Sequence, residues 1–401
     1  MSSDLAGSPL LKSSRLVRID VLRGVAILIV ILHHSVIDAH RAGALAWLAI
    51  PLERVGFSGV DLFFVLSGFL IGGLLFDEIQ GTSGLRSGRF YIRRAFKIWP
   101  PYFAFLAFAL VKQRRHLGSW SASFHDLGPN FLHAQNYLGT SFWHTWSLAV
   151  EEHFYLVLPA LLSAAYVFGP KAIGPVVGGA VLLAVVGCGA GRFYLNHDLE
   201  FRTHLRCDAL LVGVFIAYVF HFRRGLFESA VPWRGAWLAA GLALVAPNLV
   251  FDVHAAYTRR IGYSLLALGY ACILIAVLLS PPGSGPLSRV LHGGAGSVVA
   301  RIGTYSYCIY LFHGDVLRQP ISFHLVPRLA GLPTTAIFVL ATSLYIIASV
   351  ALGAALTWLI EQPSLAVRER FIPRSSRGQR DPAAIAPVAR PALLEVNHVL
   401  Q

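Results

Sequence analysis

The sequence has little charge for its length. Only 13% of its 401 residues are Asp, Glu, Lys or Arg, about half of the roughly 25% that is typical of soluble domains. Hydrophobic residues make up 56% of the chain, and its mean hydropathy is +0.62. These values exclude a disordered chain and an ordinary cytosolic enzyme as descriptions of most of the sequence. The composition is that of a polytopic membrane protein.

Cysteine is scarce, and several common site motifs are missing. The four cysteines lie in or beside apolar runs, and no two of them form a C-x-x-C pair. We therefore expect small packing residues instead of a disulfide scaffold or a zinc site. The chain also contains no G-x-S-x-G, Walker A or H-E-x-x-H motif. The sequence predicts neither a metal site nor a resident cofactor.

Positive charge is in excess, with a formal net charge of +13. The 33 Lys and Arg residues are spread between apolar runs and form no single stripe, so a nucleic-acid partner is not expected. Most of them fall in segments on the side of the N-terminus. By the positive-inside rule, this distribution predicts that both termini are cytoplasmic.

Ten apolar segments approach the roughly 20 residues that a helix needs to cross a bilayer. They lie near residues 20–38, 57–76, 95–111, 146–168, 172–190, 207–221, 234–251, 262–280, 301–317 and 336–360. The predicted fold is an all-α transmembrane bundle of about ten spans, with a membrane-embedded domain over residues 1–371. Residues 372–401 are rich in Pro, Ala and Arg and are predicted to form a disordered cytoplasmic tail.

The first apolar segment carries ionisable residues, which are functional candidates because charge in lipid is costly. Arg23 and His34 are eleven residues apart, which is three helical turns plus about 20°, so they share one face about 16 Å apart. Asp20 and Asp38 lie within about 40° of His34 on the same stripe. We expect a cation near the cytoplasmic end and an imidazole deep in the span. Snorkelling to the interface explains Arg23 taken alone.

The fourth segment begins at Trp146 and carries Glu151, Glu152 and His153 one turn further on. With the first helix running outward, His34 would reach a similar depth. A carboxylate beside an imidazole sets its tautomer and raises its basicity, so Glu151 is a candidate partner of His34. The alternative is that Glu151 pairs with an arginine and stabilises the bundle.

The second and third segments hold further polar candidates. Asp61 is another buried acid, and the Ser67–Gly68 pair permits close helix approach. Residues 89–100 interleave Arg and Lys with aromatic residues at the predicted cytoplasmic face. This pattern suits a polyphosphate that carries a base, and it equally suits anionic lipid head groups.

The longest outer loop, residues 112–145, contains four histidines, two tryptophans and several amide and hydroxyl side chains. Aromatic rings beside hydrogen-bonding groups suit a polar, sugar-like acceptor. An interfacial aromatic belt is the alternative interpretation.

Taken together, these segments resemble the acyltransferase 3 family of integral membrane acyltransferases, in its single-domain form, over roughly residues 16–371. The resemblance is carried by Arg18–Gly24 with the R-x10-H pair Arg23 and His34, Asp61–Phe69, Tyr91–Arg94, Trp146–Leu148 with Glu151, Phe154 and Tyr155, Arg206–Gly213, Gly303–Tyr307 running to His313, and Glu361–Pro363.

The resemblance implies an O-acyltransferase in a bacterial cytoplasmic (inner) membrane. An acyl group, expected to be acetyl, passes from cytoplasmic acyl-CoA to a hydroxyl of a saccharide, a lipid-linked glycan or another exported acceptor. Acyl-CoA is then a substrate and not a bound cofactor, and membrane lipids surround the protein. The predicted catalytic residues are His34, as general base or acyl carrier, Glu151 and Asp61. The predicted substrate-binding residues are Arg23, Arg93, Arg94, Asp20, Ser67, Trp146 and Arg206.

Two other classes fit part of this pattern. A multi-pass transporter of a polar or anionic substrate also places Arg, His and Glu inside a helical bundle. A membrane redox protein would use some of the 16 histidines as haem or metal ligands. Consumption of acyl-CoA separates the acyltransferase from the transporter, and a visible absorption spectrum identifies haem.

Overall fold

The computed structural model of the chain is all-α. It describes residues 9–81, 84–194, 201–280, 283 and 285–373, with side chains from residue 17 onward, and these ranges contain no strand. The α-helices are α1 (Pro9–His33), α2 (Ala46–Gly56), α3 (Gly59–Gly81), α4 (Ser87–Leu117), α5 (Trp120–Phe131), α6 (Gln135–Leu138), α7 (Trp146–Val167), α8 (Ile173–Tyr194), α9 (Cys207–Phe222), α10 (Arg224–Ser229), α11 (Arg234–Val245), α12 (Tyr263–Leu278), α13 (Pro286–His292), α14 (Gly294–Thr304), α15 (Ser306–Phe312), α16 (Thr334–Leu356) and α17 (Gln362–Phe371). The predicted all-α class is confirmed over these ranges. From residue 374 onward, the predicted tail lies outside the described residues.

Five helical stretches in the described part of the chain are long and apolar enough to cross a membrane. They are Gly59–Gly81, Trp143–Val167, Pro170–Tyr194, Thr258–Leu278 and Thr334–Phe371. Each overlaps one of the ten predicted spans. Helix α9 is apolar but shorter. The full count of ten and the cytoplasmic location of the termini stay predictions.

Two predicted spans are interrupted. The first helix ends at His33 instead of continuing to residue 38, and the Asp38 carboxylate accepts a hydrogen bond from the His40 backbone N–H in the following 3-10 turn. The prediction that Asp38 shares the helical stripe was therefore wrong, because its side chain caps a turn. The predicted span at 301–317 is divided between α14, α15 and a π-helical segment, His313–Arg318.

Burial differs strongly between the helices. In the most apolar window of α3, 78% of the residues are buried inside the protein, against 22% in α8. Helix α3 is therefore central, packed among α1, α9 and α12. Helix α8 presents leucine and valine side chains outward, as a helix at the edge of a membrane bundle does.

Helices α1 and α14 cross so closely that only glycine fits at the crossing. A Cβ atom on Gly24 would lie 2.0 Å from the carbonyl oxygen of Val299, and one on Gly303 would lie 1.9 Å from the carbonyl oxygen of Asp20. Small residues allow membrane helices to approach in this way. The crossing brings the start of α15 next to the middle of α1.

The α3–α9 crossing follows the same rule. A Cβ atom on Gly68 would lie 1.9 Å from the carbonyl oxygen of Leu210, and one on Gly213 would lie 2.2 Å from that of Val65. The predicted close approach at Ser67–Gly68 is confirmed. The contact holds the first turns of α3 and α9 side by side.

Candidate active site

His34 lies at the end of α1 among other aromatic rings. Its Nδ1 is 3.0 Å from Nε2 of His313, and the centroids of the His33 and Trp143 rings are 5.0 and 5.3 Å from its own. The Nε2 atom of His34 is buried and has no hydrogen-bond partner among the described residues. A bare imidazole nitrogen of this kind can accept a proton from a substrate.

His313 is the first residue of the π-helical segment that comes after α15. Its side chain is 1% exposed, and its Nδ1 lies 2.8 Å from the carbonyl oxygen of Tyr310. Short π-helical turns are rare in proteins and occur frequently at functional sites. The His313 ring lies between the Tyr310 carbonyl, which its Nδ1 contacts, and His34, which its Nε2 contacts.

A third histidine completes the group, which we call the histidine cluster: His34, His313 and His144. The His144 ring centroid is 5.8 Å from that of His313. Its Nδ1 is 3.8 Å from Oδ2 of Asp315, whose Oδ1 accepts a 2.6 Å hydrogen bond from Lys112. The end of the 112–145 loop, predicted to contact the acceptor, thus lies beside His34.

Arg23 faces the same neighbouring helix as His34. Its guanidinium donates a 3.0 Å hydrogen bond to Ser306 at the start of α15, while His34 contacts His313 just beyond the end of that helix. The eleven-residue spacing correctly predicted a shared face. Arg23 also forms a 3.3 Å ion pair with Asp20, so Asp20 balances its charge.

Further basic residues lie near Arg23. Lys97 on α4 is close enough to Arg23 and Arg94 for their charges to interact, and its Nζ is 3.5 Å from Oε1 of Glu361. These three cations form the basic group: Arg23, Arg94 and Lys97. Arg93 instead forms a 2.8 Å ion pair with Glu369 and ties α4 to α17.

Glu151 joins α7 to α3. Its Oε1 accepts a 2.7 Å hydrogen bond from Ser67, and its Oε2 accepts a 3.0 Å hydrogen bond from Tyr155. The Arg94 guanidinium carbon is 4.5 Å from the centroid of the Tyr155 ring. In the described part of the chain, the hydrogen bonds of Glu151 thus go to hydroxyl groups, and the structure places it on the side of the basic group.

Asp61 and Arg206 form a buried ion pair. The distance from Arg206 Nη2 to Asp61 Oδ1 is 2.8 Å, and each side chain is 2% exposed. The Arg206 guanidinium carbon also lies 3.6 Å from the centroid of the Tyr263 ring and 5.2 Å from that of Trp146. Asp61, Arg206 and Trp146, which were predicted separately, thus meet in one place.

A second buried pair lies nearby. Arg192 Nη2 is 2.6 Å from Asp208 Oδ2, and Asp208 comes two residues after Arg206 at the start of α9. We call these four residues the ion-pair network: Asp61, Arg206, Arg192 and Asp208. Within the described ranges, no group of three His, Cys, Asp or Glu residues is placed to hold a metal ion.

A comparison with models of protein families identifies the family of the chain. The family model described as an acyltransferase domain, of the acyltransferase 3 family, matches residues 16–360. The chain belongs to the acyltransferase 3 family. The predicted membership of this family is confirmed.

Named relatives of this acyltransferase 3 chain include O-acetyltransferases. It is 27% identical over 333 residues to the peptidoglycan O-acetyltransferase OatA of Listeria monocytogenes, covering 75% of this chain and 49% of the relative. It is 26% identical to a putative O-acetyltransferase of Staphylococcus aureus (76% and 51% covered) and to the putative peptidoglycan O-acetyltransferase YrhL of Bacillus subtilis (77% and 51%). The chain spans about half the length of these curated relatives. No solved structure matches it.

Sequence reasoning missed part of the site of this acyltransferase domain. His313 ended one of the motifs that carry the resemblance, but nothing in its spacing named His34 as its partner. His144 appeared only as one of four loop histidines. Asp315 gave no signal, because a single aspartate after an apolar run is typical of a helix end at the membrane surface.

Proposed function

We propose that the protein is an integral membrane O-acetyltransferase that moves an acetyl group from acetyl-CoA to a hydroxyl of a saccharide. Membership of the family supports acyl transfer, and the names of the relatives support O-acetylation with a peptidoglycan-like acceptor. The observation that carries the proposal is the buried Nε2 of His34, which has no partner in the described part of the protein.

In this mechanism His34 is the general base. Its Nε2 takes the proton of the acceptor hydroxyl while the oxygen attacks the thioester carbonyl carbon. The new C–O bond forms, the C–S bond breaks, and the CoA thiolate leaves with the proton that His34 had accepted. If His34 instead carries the acetyl group between two steps, the same Nε2 is the nucleophile.

The basic group suits the donor. Charge-assisted hydrogen bonds from arginine and lysine bind phosphate oxygens strongly, and Arg23, Arg94 and Lys97 gather three cations beside α1. Arg23 and His34 are separated by about 16 Å along the helix, which is comparable with the reach of a pantetheine arm. Phosphates held from the cytoplasm at the basic group would then present the thioester to His34.

Trp143 suits the acceptor. Its side chain is 53% exposed, although its ring centroid is only 5.3 Å from that of His34. An exposed aromatic face next to a proton acceptor fits a sugar ring, whose C–H groups pack on the indole while a hydroxyl reaches the imidazole.

The test is thiol release from acetyl-CoA by the purified full-length protein, with a panel of glycan acceptors. We expect His34→Ala to lower turnover by about 10²–10⁴-fold, the usual contribution of a general base. The matched control is His33→Ala, because His33 adjoins His34 but bonds to the backbone oxygen of Glu53. This control should stay within a few-fold of the wild type.

Two results would overturn the proposal. Normal turnover by a folded, membrane-inserted His34→Ala protein would show that His34 is not the general base. Flux of a polar solute without consumption of acetyl-CoA or any other acyl-CoA by the wild type would show a transporter instead.

A further inference from the structure

We propose that His313 is a positioning residue that holds His34 in the tautomer whose Nε2 lone pair is free to take the proton of the acceptor. This inference rests on the proposed function, in which that nitrogen is the base. It is derived from the order of hydrogen-bond donors and acceptors along Tyr310, His313 and His34.

The first step concerns His313. A backbone carbonyl oxygen can only accept a hydrogen bond, so the 2.8 Å contact between His313 Nδ1 and the Tyr310 oxygen places a proton on Nδ1. His313 is 1% exposed, and the histidine rings beside it are those of His34 and His144. A charged ring buried without a carboxylate contact is costly. His313 is therefore neutral, and its Nε2 is an acceptor.

The second step concerns His34. Its Nδ1 is 3.0 Å from Nε2 of His313. Because that nitrogen accepts, Nδ1 of His34 must donate and must carry the proton. The tautomer of a neutral histidine is set by the bond that one of its nitrogens makes. The lone pair is thus assigned to Nε2 of His34, and this is the atom found buried without a partner in the described structure.

Tyr310 is itself held in place, so the chain of bonds starts from a fixed point. Its phenol donates a 2.7 Å hydrogen bond to the backbone oxygen of His144, and Ser147 lies 2.7 Å from the same phenol oxygen. These contacts anchor α15 against the start of α7. The ring of His313 is oriented by an element whose own position is determined by two other bonds.

The arrangement also favours the charged state that forms during the reaction. When Nε2 of His34 takes the proton, its Nδ1–H still donates to a nitrogen lone pair, and this bond becomes stronger because the donor is now charged. The proton then passes from His34 Nε2 to the departing thiolate, so His313 neither gains nor loses a proton. It fixes the tautomer as a carboxylate would, without a fixed negative charge in the apolar interior.

The experiment compares His313→Leu with His313→Gln in the purified full-length protein. A glutamine amide oxygen can accept from His34 Nδ1–H, whereas leucine offers no acceptor. We expect the leucine variant to lower kcat by about 10²-fold while the KM for acetyl-CoA changes by less than about 3-fold. The glutamine variant should recover at least a tenth of the wild-type kcat.

A second readout does not depend on acetyl transfer. Diethyl pyrocarbonate acylates unprotonated imidazole nitrogens, and mass spectrometry of the peptide that contains His33 and His34 separates the two sites. We expect slower labelling of His34 in His313→Leu and a rate near that of the wild type in His313→Gln. Labelling of His33 serves as the internal control for folding and access.

The outcomes separate this inference from the proposed function. If His34→Ala is inactive while His313→Leu keeps its kcat, the positioning role is wrong and the base stands. If both His313 variants lose activity while His34 is labelled at the wild-type rate, the positioning role is also wrong. If His34→Ala is active, the proposed base fails whatever the His313 variants do.

Discussion

The bundle contains two buried polar regions that are built from different side chains and are paired differently. In the ion-pair network each charged side chain faces one of opposite charge, at 2.8 Å for Asp61 and Arg206 and at 2.6 Å for Asp208 and Arg192. In the histidine cluster, His34 faces another imidazole, that of His313. Both regions contain buried polar atoms without a described partner, Nε2 of His34 in the cluster and Oδ2 of Asp61 in the network. We propose that the pairing of opposite charges marks a brace between helices, and that the pairing of two imidazoles marks a site for chemistry.

The largest expected effect comes from breaking the ion-pair network. Removal of one partner leaves an uncompensated buried charge, which costs about 3–5 kcal/mol of stability. We expect Asp61→Leu to lower the yield of folded protein and its melting temperature in detergent. The double variant Asp61→Leu with Arg206→Met should recover most of that loss, because an apolar pair of similar volume is often as stable.

This experiment also tests the catalytic role that the sequence suggested for Asp61. An Asp61→Leu protein that is as stable as the wild type but has a strongly reduced kcat would support a catalytic role for Asp61. It would remove the distinction between the two regions.

An intermediate effect is expected at Trp143, on the open side of the histidine cluster. Loss of a stacking face of this kind weakens binding by up to about 1.5 kcal/mol, which corresponds to about ten-fold. We expect Trp143→Ala to raise the KM for the glycan acceptor by about ten-fold, with the KM for acetyl-CoA unchanged. The control Trp143→Phe keeps an aromatic face and should show a smaller rise. An equal rise in the KM for acetyl-CoA would place the donor, and not the acceptor, against Trp143.

The smallest effect concerns His133, another histidine with a buried nitrogen that has no partner in the described part of the chain. Its ring is stacked on Tyr102 with the centroids 4.7 Å apart, and burial lowers its pKa from 6.5 to about 4. Between these two values the unfolded chain binds a proton that the folded protein does not, so stability falls as the pH drops below 6.5. The expected loss is about 1 kcal/mol at about pH 5.5.

His133→Asn should remove this acid-dependent part of the melting curve, and asparagine tolerates the positive φ of 52° at this position. An unchanged pH dependence would show that another group causes it. The expected result would set His133 apart from His34. Burial lowers stability at acid pH for His133, but no described residue fixes the tautomer of its ring as His313 is proposed to do for His34.

The sequence predicts much of the architecture, because hydropathy and length identify the five long apolar helices and the spacing of Arg23 and His34 identifies a shared face. It does not predict which residue His34 contacts. His313 is 279 residues away, and Asp61 and Arg206 are 145 residues apart. Such pairs depend on how helices cross, and the crossings are set by glycines that carry no chemical signal of their own.

The helix boundaries near the site could not be predicted from the sequence either. The predicted span at 301–317 is mostly apolar in composition, but its backbone changes from α- to π-helical bonding at His313. Hydropathy does not register a change in hydrogen-bond pattern. Similarly, the end of α1 at His33 depends on the turn that Asp38 caps, a local bond that the apolar pattern conceals.

The π-helical segment determines how the chain after α15 responds to a change in length. A π-turn accommodates more residues than an α-turn, so a one-residue deletion within His313–Arg318 can be absorbed by a return to α-helical winding. A deletion within α15 cannot be absorbed in this way, because each residue of an α-helix adds about 100° of rotation. Among aligned sequences, a one-residue gap after His313 is therefore compatible with the same position of the histidine, whereas a gap within α15 is not.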